Sequence, residues 1–264
     1  MDKVLLLWET VFPNNPCSFA LRAGEFQMLR HSVLSAAIVG SFVSSSVLAA
    51  TITQWNFNSP TPDGNTSTGT TSPSTGSGTA TLIGGTTATF ASGDASGGSS
   101  DPATGDDSGW NVTTWAAQSS GDKTRGVQFS VDTTGFQDII LSFDQRHSNT
   151  VAREFVVQYT TDGSIFTDIA TFTATAGDTW FNNRTVDLTS ISAVDDNPNF
   201  AFRIVASFTG EPGTQYDASN PASNYSTNGT ARFDMVTVSG TVIPEPASLG
   251  LLGLASLMGL RRRR

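Results

Sequence analysis

Between residues 51 and 242 apolar side chains recur at every second position in short runs, and clusters of Gly, Asp, Asn, Ser and Thr cut the runs apart. Alternation of this kind marks half-buried strands, and no long stretch carries the helical period. The pattern predicts strands near 51–57, 79–83, 86–90, 127–131, 138–143, 154–160, 166–173, 184–188, 199–208 and 232–242. Gly84-Gly85 predicts a hairpin between the second and third of these, and Thr161-Asp162-Gly163-Ser164 a tight turn. In the later strands Phe200, Phe202 and Ile204 share one face, as do Phe233 and Met235, with Asp234, Val236 and Val238 opposite. Many short strands without a long helix predict an all-β fold, an antiparallel jelly-roll β-sandwich whose end strands, 51–57 and 231–241, pair. The segment 59–109 is rich in Thr, Ser, Gly, Asp and Pro and reads as loops around two small strands.

The two ends break the alternation. Residues 247–260 carry no charge, follow Pro244-Glu245-Pro246, and run into Arg261, Arg262, Arg263 and Arg264. As a helix, fourteen residues span about 21 Å at about 1.5 Å each. That is short against a hydrocarbon core of about 30 Å, so the tail reads as a short transmembrane helix suited to temporary anchorage. The four arginines stay on the cytoplasmic side and place the preceding chain outside. At the other end, residues 28–31 are a small basic region and 32–47 an apolar one. Val47-Leu48-Ala49 obeys the small-x-small rule, which predicts a signal peptide over 28–49 cut after Ala49, or after Ala50 as second choice. Residues 1–27 hold Asp2, Glu9, Glu25, Pro13 and Pro16, unlike any signal, and read as a mis-assigned upstream start. The working domain is then 50–243, long enough for one sizeable core, and 244–264 is a separate processing segment.

Charge narrows the function. Residues 50–243 carry nineteen acidic and seven basic side chains, a net charge of −12 against −9 for the whole chain. Such a surface repels phosphate backbones, so nucleic acid is excluded as a partner class. Seventeen of the nineteen are Asp, a turn residue, which agrees with a β protein. The one cysteine, Cys17, precedes the signal, so the domain has neither a disulfide nor a thiolate metal site. His147 is its single histidine, which removes His pairs and the usual zinc and Cys–His constellations.

Pro244-Glu245-Pro246, the apolar segment 247–260 and the arginines 261–264, in that order at the terminus, resemble the PEP-CTERM sorting signal of Gram-negative bacteria. The resemblance implies an exosortase that cuts near the motif, with signal peptidase and the Sec machinery as earlier partners. It also implies a precursor held transiently in the inner membrane. The final location it implies is the cell surface or the extracellular, biofilm-associated matrix, with exopolysaccharide as a candidate ligand. The whole strand pattern, and Arg232-Phe233-Asp234-Met235-Val236-Thr237-Val238-Ser239-Gly240 most of all, resembles jelly-roll, carbohydrate-binding-like domains of exported proteins. That likeness implies a structural calcium at Asp234. Calcium wants six to eight oxygens, and the loop 101–107 is a source of more.

Three aromatic positions, Trp110, Trp115 and Trp180, with Asn111, Asn182 and Asn183 nearby, are candidate sugar-stacking platforms, and Tyr216 and Tyr225 lie in other loops. Tryptophan near a strand is more often core, which is the competing reading. Asp144, Arg146 and His147 are a weak acid–base candidate, and no catalytic residue is assigned. The reading that fits best is an exported, non-catalytic surface or matrix protein that binds exopolysaccharide. A structural adhesion module without ligand ranks second, and a secreted enzyme acting on polysaccharide or phosphoester third.

Overall fold

The structure, a computed structural model, describes residues 49–210 and 212–244. Its strands are β1 Ala50–Trp55, β2 Thr79–Ile83, β3 Thr87–Ser92, β4 Ser108–Thr113, β5 Gly126–Ser130 and β6 Phe136–His147. They continue as β7 Glu154–Thr160, β8 Thr167–Thr173, β9 Thr179–Asp187, β10 Ala201–Ser207 and β11 Ala231–Val242. Two single 3-10 turns, Ala95–Gly97 and Ser192–Val194, are the helical elements among the described residues. None of the described helices is long and apolar enough to cross a membrane. The segments 1–48 and 245–264, which hold the signal-peptide and apolar-tail expectations, lie outside the described residues.

The strands form an antiparallel β-sandwich. One sheet runs β3-β4-β11-β6-β9 with β1 also on β11, and the other runs β2-β5-β10-β7-β8. β11 is the hub of the first sheet. It lies against β6 from Ala231 to Val242, while its other edge serves β4 at 231–233 and β1 at 236–240. The expected pairing of the terminal strands is therefore present, as Ala50↔Gly240 through Trp55↔Val236.

The core is aromatic. Phe129 lies 5.0 Å from Trp55 and 5.0 Å from Phe202, and Phe57 stacks on Trp110 at 5.4 Å. Trp115 meets Phe155 edge-on at 5.3 Å at the other end of the cluster. Rings that bury this much apolar area dominate the hydrophobic term, about 1.5–3 kcal/mol for each aliphatic or Phe side chain.

Three sequence expectations change. β2 and β3 do not pair as a hairpin: β2 joins β5 in one sheet and β3 joins β4 in the other. The Gly84-Gly85 link, both residues at positive φ, carries the chain between sheets. Local turn chemistry allowed the hairpin, but longer-range partners took both strands. β4, Ser108–Thr113, carries no strand expectation: its first two residues close the 59–109 segment that reads as loops, and the other four lie beyond it. In β11 a bulge at Met235, φ 46°, breaks strict alternation, so Phe233, Val236 and Val238 all reach the core.

Candidate metal centre

Asp234 follows core residue Phe233 and so projects to the outer face of the six-stranded sheet, directly opposite Asp144 on β6. The segment after β3 crosses that face and is sewn to it. Trp180 Nε1 donates to Ala95 O at 2.8 Å, Asn182 Nδ2 to Gly98 O at 3.0 Å, and Arg146 to Ser96 Oγ at 3.2 Å. Ser100 N donates to Asp144 Oδ2 at 2.5 Å, and Asn183 N, from a bulge with φ 55°, donates to Asp144 Oδ1 at 2.7 Å. Asp144 is thus a fully satisfied buried carboxylate that fixes the crossing segment.

The same crossing brings Asp101 and Asp107 to Asp234. One carboxylate oxygen from each lies within 4.8 Å of the others. Their supports are specific. Asn58 Nδ2 donates to Asp101 Oδ2 at 2.9 Å, and Ala103 N to Asp101 Oδ1 at 2.9 Å. Ser99 Oγ donates to Asp107 Oδ2 at 2.9 Å, and Met235 N to Asp234 Oδ1 at 2.7 Å. Gly93 N donates to Asp107 O at 2.8 Å. A Cβ at Gly93 would lie 2.0 Å from Asp107 Oδ1, so the approach of the loop to this carboxylate requires glycine.

Two oxygens remain without a hydrogen-bond partner, Asp107 Oδ1 and Asp234 Oδ2, in side chains that are 1% and 0% exposed. Burial pushes Asp107 up to about 6. It pushes Asp234 well above the usual carboxylate range, and the facing Asp107 charge adds to this. Arg232 is near enough to feel both charges, yet its bonds go to Ser92 O and Asn111 Oδ1. Bare oxygens of this kind, buried side by side, cost free energy unless a cation or a shared proton joins them. The donor set is all oxygen, which fits a hard divalent cation such as calcium and not zinc. Three carboxylates around a divalent ion leave one net negative charge, which Arg232 sits close enough to offset.

The three tryptophan candidates are corrected. Trp110, Trp115 and Trp180 are 4%, 1% and 8% exposed, so none presents a face for stacking. Trp110 and Trp115 are core, with Trp115 Nε1 donating to Gly229 O at 2.9 Å. Trp180 lies beneath the crossing segment, and Tyr216 is buried with Tyr225 stacked on it at 4.7 Å.

His147 is also interior, 0% exposed and edge-on to Phe155 and Phe181. Its Nδ1 lies 3.0 Å from Ser219 Oγ and 3.2 Å from Ala152 O. Burial, with the nearby Arg184 charge, holds it neutral, well below the ordinary histidine value. Arg146 pairs with Asp178 at 2.9 Å on the surface side. Asp144 and Arg146 thus meet the crossing segment while His147 lies among aromatic rings in the interior, and the three do not form an acid–base unit. The cluster of Asp101 and Asp107 with Asp234 is the convergence that sequence reasoning reached only in part: Asp234 and its loop were legible, but the choice among Asp101, Asp106 and Asp107 was not.

Of the processing residues, Ala49 is exposed, Ala50 opens β1 and Pro244 follows Ile243. Glu245, Pro246 and Arg261–Arg264 lie outside the described residues. The profile of the PEP-CTERM protein-sorting motif matches residues 242–264. Among solved structures the chain is similar to the K2 cleaved adhesin domain of Lys-gingipain, at 15% identity and a TM-score of 0.36, covering 72% of this chain and 97% of that one. No curated protein matches the chain.

Proposed function

We propose that this chain is an exported, non-catalytic module of the cell surface or extracellular matrix. An exosortase releases it from the membrane, and a calcium ion at Asp101, Asp107 and Asp234 completes its sandwich. The observation that carries the reading is the sorting motif at residues 242–264, fused without a spacer to the closing strand of an all-β domain. The motif makes the chain an exosortase substrate with a membrane-anchored precursor. Non-catalytic action is supported by the fate of the one histidine in the domain, which is walled in by aromatic rings. Calcium is supported by the two orphaned carboxylate oxygens.

The structural or adhesive role now ranks ahead of exopolysaccharide binding, because all three tryptophans on which the sugar reading rested are buried. Exopolysaccharide remains the ligand class to test first, since the matrix is where the sorted protein would act.

Mass spectrometry of the ends of the native protein, from hosts with and without the exosortase, tests the reading. A chain that begins near Ala50 and ends near Pro244 in the intact host, and keeps its arginines in the deletion host, is the expected result. Retention of the arginine tail in both hosts would leave the chain a plain anchored protein and remove the link to the matrix.

A further inference from the structure

The sorting motif does not hang on a tether. Its match begins at Val242, the last residue of β11. Val242 pairs with Phe136 and Thr241 with Gln137, and Thr241 Oγ1 donates to Asp138 Oδ2 at 2.7 Å. Ile243 N donates to Gly135 O at 2.8 Å, and the next residue is Pro244. The motif's first residues are thus bonded into the central strand of the larger sheet. A protease binds its substrate as an extended chain whose backbone groups are free to pair with the enzyme. Any cleft that seats a few residues on the amino side of a cut near Pro244 therefore reaches into β11, and those residues cannot serve the sheet and the enzyme together.

The end of β11 is built to open more easily than its middle. Among the described residues β1 covers the far edge only up to Gly240, where Ala50 is its last partner, so within them residues 241–243 are held by the β6 side alone. Val242 is 49% exposed, and little packing is lost when it leaves. Fraying of a strand end held by few contacts costs far less than global unfolding.

We propose that the last rungs of β11 act as a clasp on the sorting signal. The exosortase cuts a state in which residues 241–243 have left β6, so processing is gated by local opening of the folded domain. This rests on the sorting reading above. The bond cut is a main-chain amide: water adds at its carbonyl to leave a carboxylate on the domain side, the tail departs as the protonated amine, and the domain contributes only access.

A reversible staple tests it. The Ile243 N to Gly135 O bond makes Phe136 and Val242 a non-hydrogen-bonded pair. Cα atoms in such a pair lie about 4.5 Å apart, within the span a disulfide bridges. The chain's one cysteine, Cys17, lies outside the domain, so Phe136→Cys with Val242→Cys has no competing thiol there. An exported domain meets oxidising conditions.

Processing is followed by pulse-chase in the native host. The oxidised double variant should lose its tail about tenfold more slowly than the parent, and added dithiothreitol should restore the rate. Inserting a Gly/Ser linker of about ten residues between Ile243 and Pro244 should return the stapled chain to the parental rate and speed an unstapled chain. A staple that forms on a non-reducing gel yet leaves the rate unchanged overturns the clasp. If the stapled chain fails to accumulate, an unstapled linker variant that is processed no faster than the parent overturns it. Processing that persists without the exosortase instead overturns the sorting reading and the clasp with it.

Discussion

Asp234 and Asp107 each carry an oxygen with no donor, and that shortage shapes what calcium should do. A ligand at a hundredfold excess over its Kd adds about 2.7 kcal/mol to stability. For a domain of this size that is a rise in Tm of about 5–10 °C. Asp234→Asn should abolish the rise, and in chelator it should melt no lower than the parent, because the amide stays neutral beside Asp107 without having to hold a proton. Asp106→Asn should keep the rise, since Asp106 serves the backbone of Asp63 and Gly64 instead. Scanning calorimetry with calcium and with chelator distinguishes them, and equal calcium shifts in all three proteins would sink the site. The pH dependence has a definite sign. With Asp107 pushed up to about 6 and Asp234 held well above the usual carboxylate range by burial, the metal-free fold holds protons that the unfolded chain releases above about pH 4. That stabilisation is complete below the ordinary carboxylate value and is lost as pH rises through about 6. Calcium needs the ionised carboxylates, so its Tm increment should be small at pH 4.5 and large at pH 7.5. An increment that shrinks over this range would argue against carboxylate ligation. Asp234 was legible because it stands alone in an apolar closing strand. Among the neighbouring carboxylates only three-dimensional contact picks out Asp101 and Asp107. The tryptophans misled because an aromatic beside Gly, Asn and Thr has the same sequence context whether a loop covers it or solvent does.

At the level of elements, the alternation located most strands, including both ends of the sheet that β11 organises. It failed where pairing is settled by distant partners. Gly84-Gly85 is a sound hairpin signal, yet β2 and β3 each gain more by extending a different sheet. The Met235 bulge could not be read either, since nothing local marks a bulky residue for positive φ, a conformation costing about 1–3 kcal/mol. The bulge aims the Met235 N–H at Asp234 and leaves Phe233 and Val236 both in the core. Gly93 is the matching device on the other side of the cluster. Gly93→Ala should push the Asp107 carboxylate out of its place and remove the calcium-dependent Tm rise while far-UV circular dichroism stays parental. A full calcium response in this variant would show that the loop does not carry a ligand. Trp115→Ala is the contrasting case. Trp115 holds Gly229 O through its indole and packs on Phe155, so its loss should cost about 3–5 kcal/mol. Urea denaturation checks this, and a variant as stable as the parent would return Trp115 to the list of ligand residues.

For the whole molecule the order of events matters, because β11 is both the last strand among the described residues and the centre of its sheet. The five strands of the smaller sheet can pair without it, as can β3 with β4 and β6 with β9, but only β11 joins those two pairs and β1 into one sheet. The acid cluster depends on β11 as well: Asp234 must be seated in the sheet for the segment carrying Asp101 and Asp107 to lie against it. On the calcium reading proposed above, the ion locks a nearly finished sandwich and does not nucleate one. Chelation should then loosen one region rather than unfold the domain. With chelator, residues 93–107 should become the first site of limited proteolysis and exchange their amide hydrogens quickly, while β5, β7 and β10 stay protected. Millimolar calcium should restore protection to the segment, and Asp234→Asn should stay cleavable in calcium. Uniform loosening of both sheets on chelation would mean that the ion supports global stability with no preference for the crossing segment. An unchanged protection pattern would mean that the hydrogen bonds donated by Trp180 and Asn182 and the one accepted by Asp144 hold the segment down by themselves.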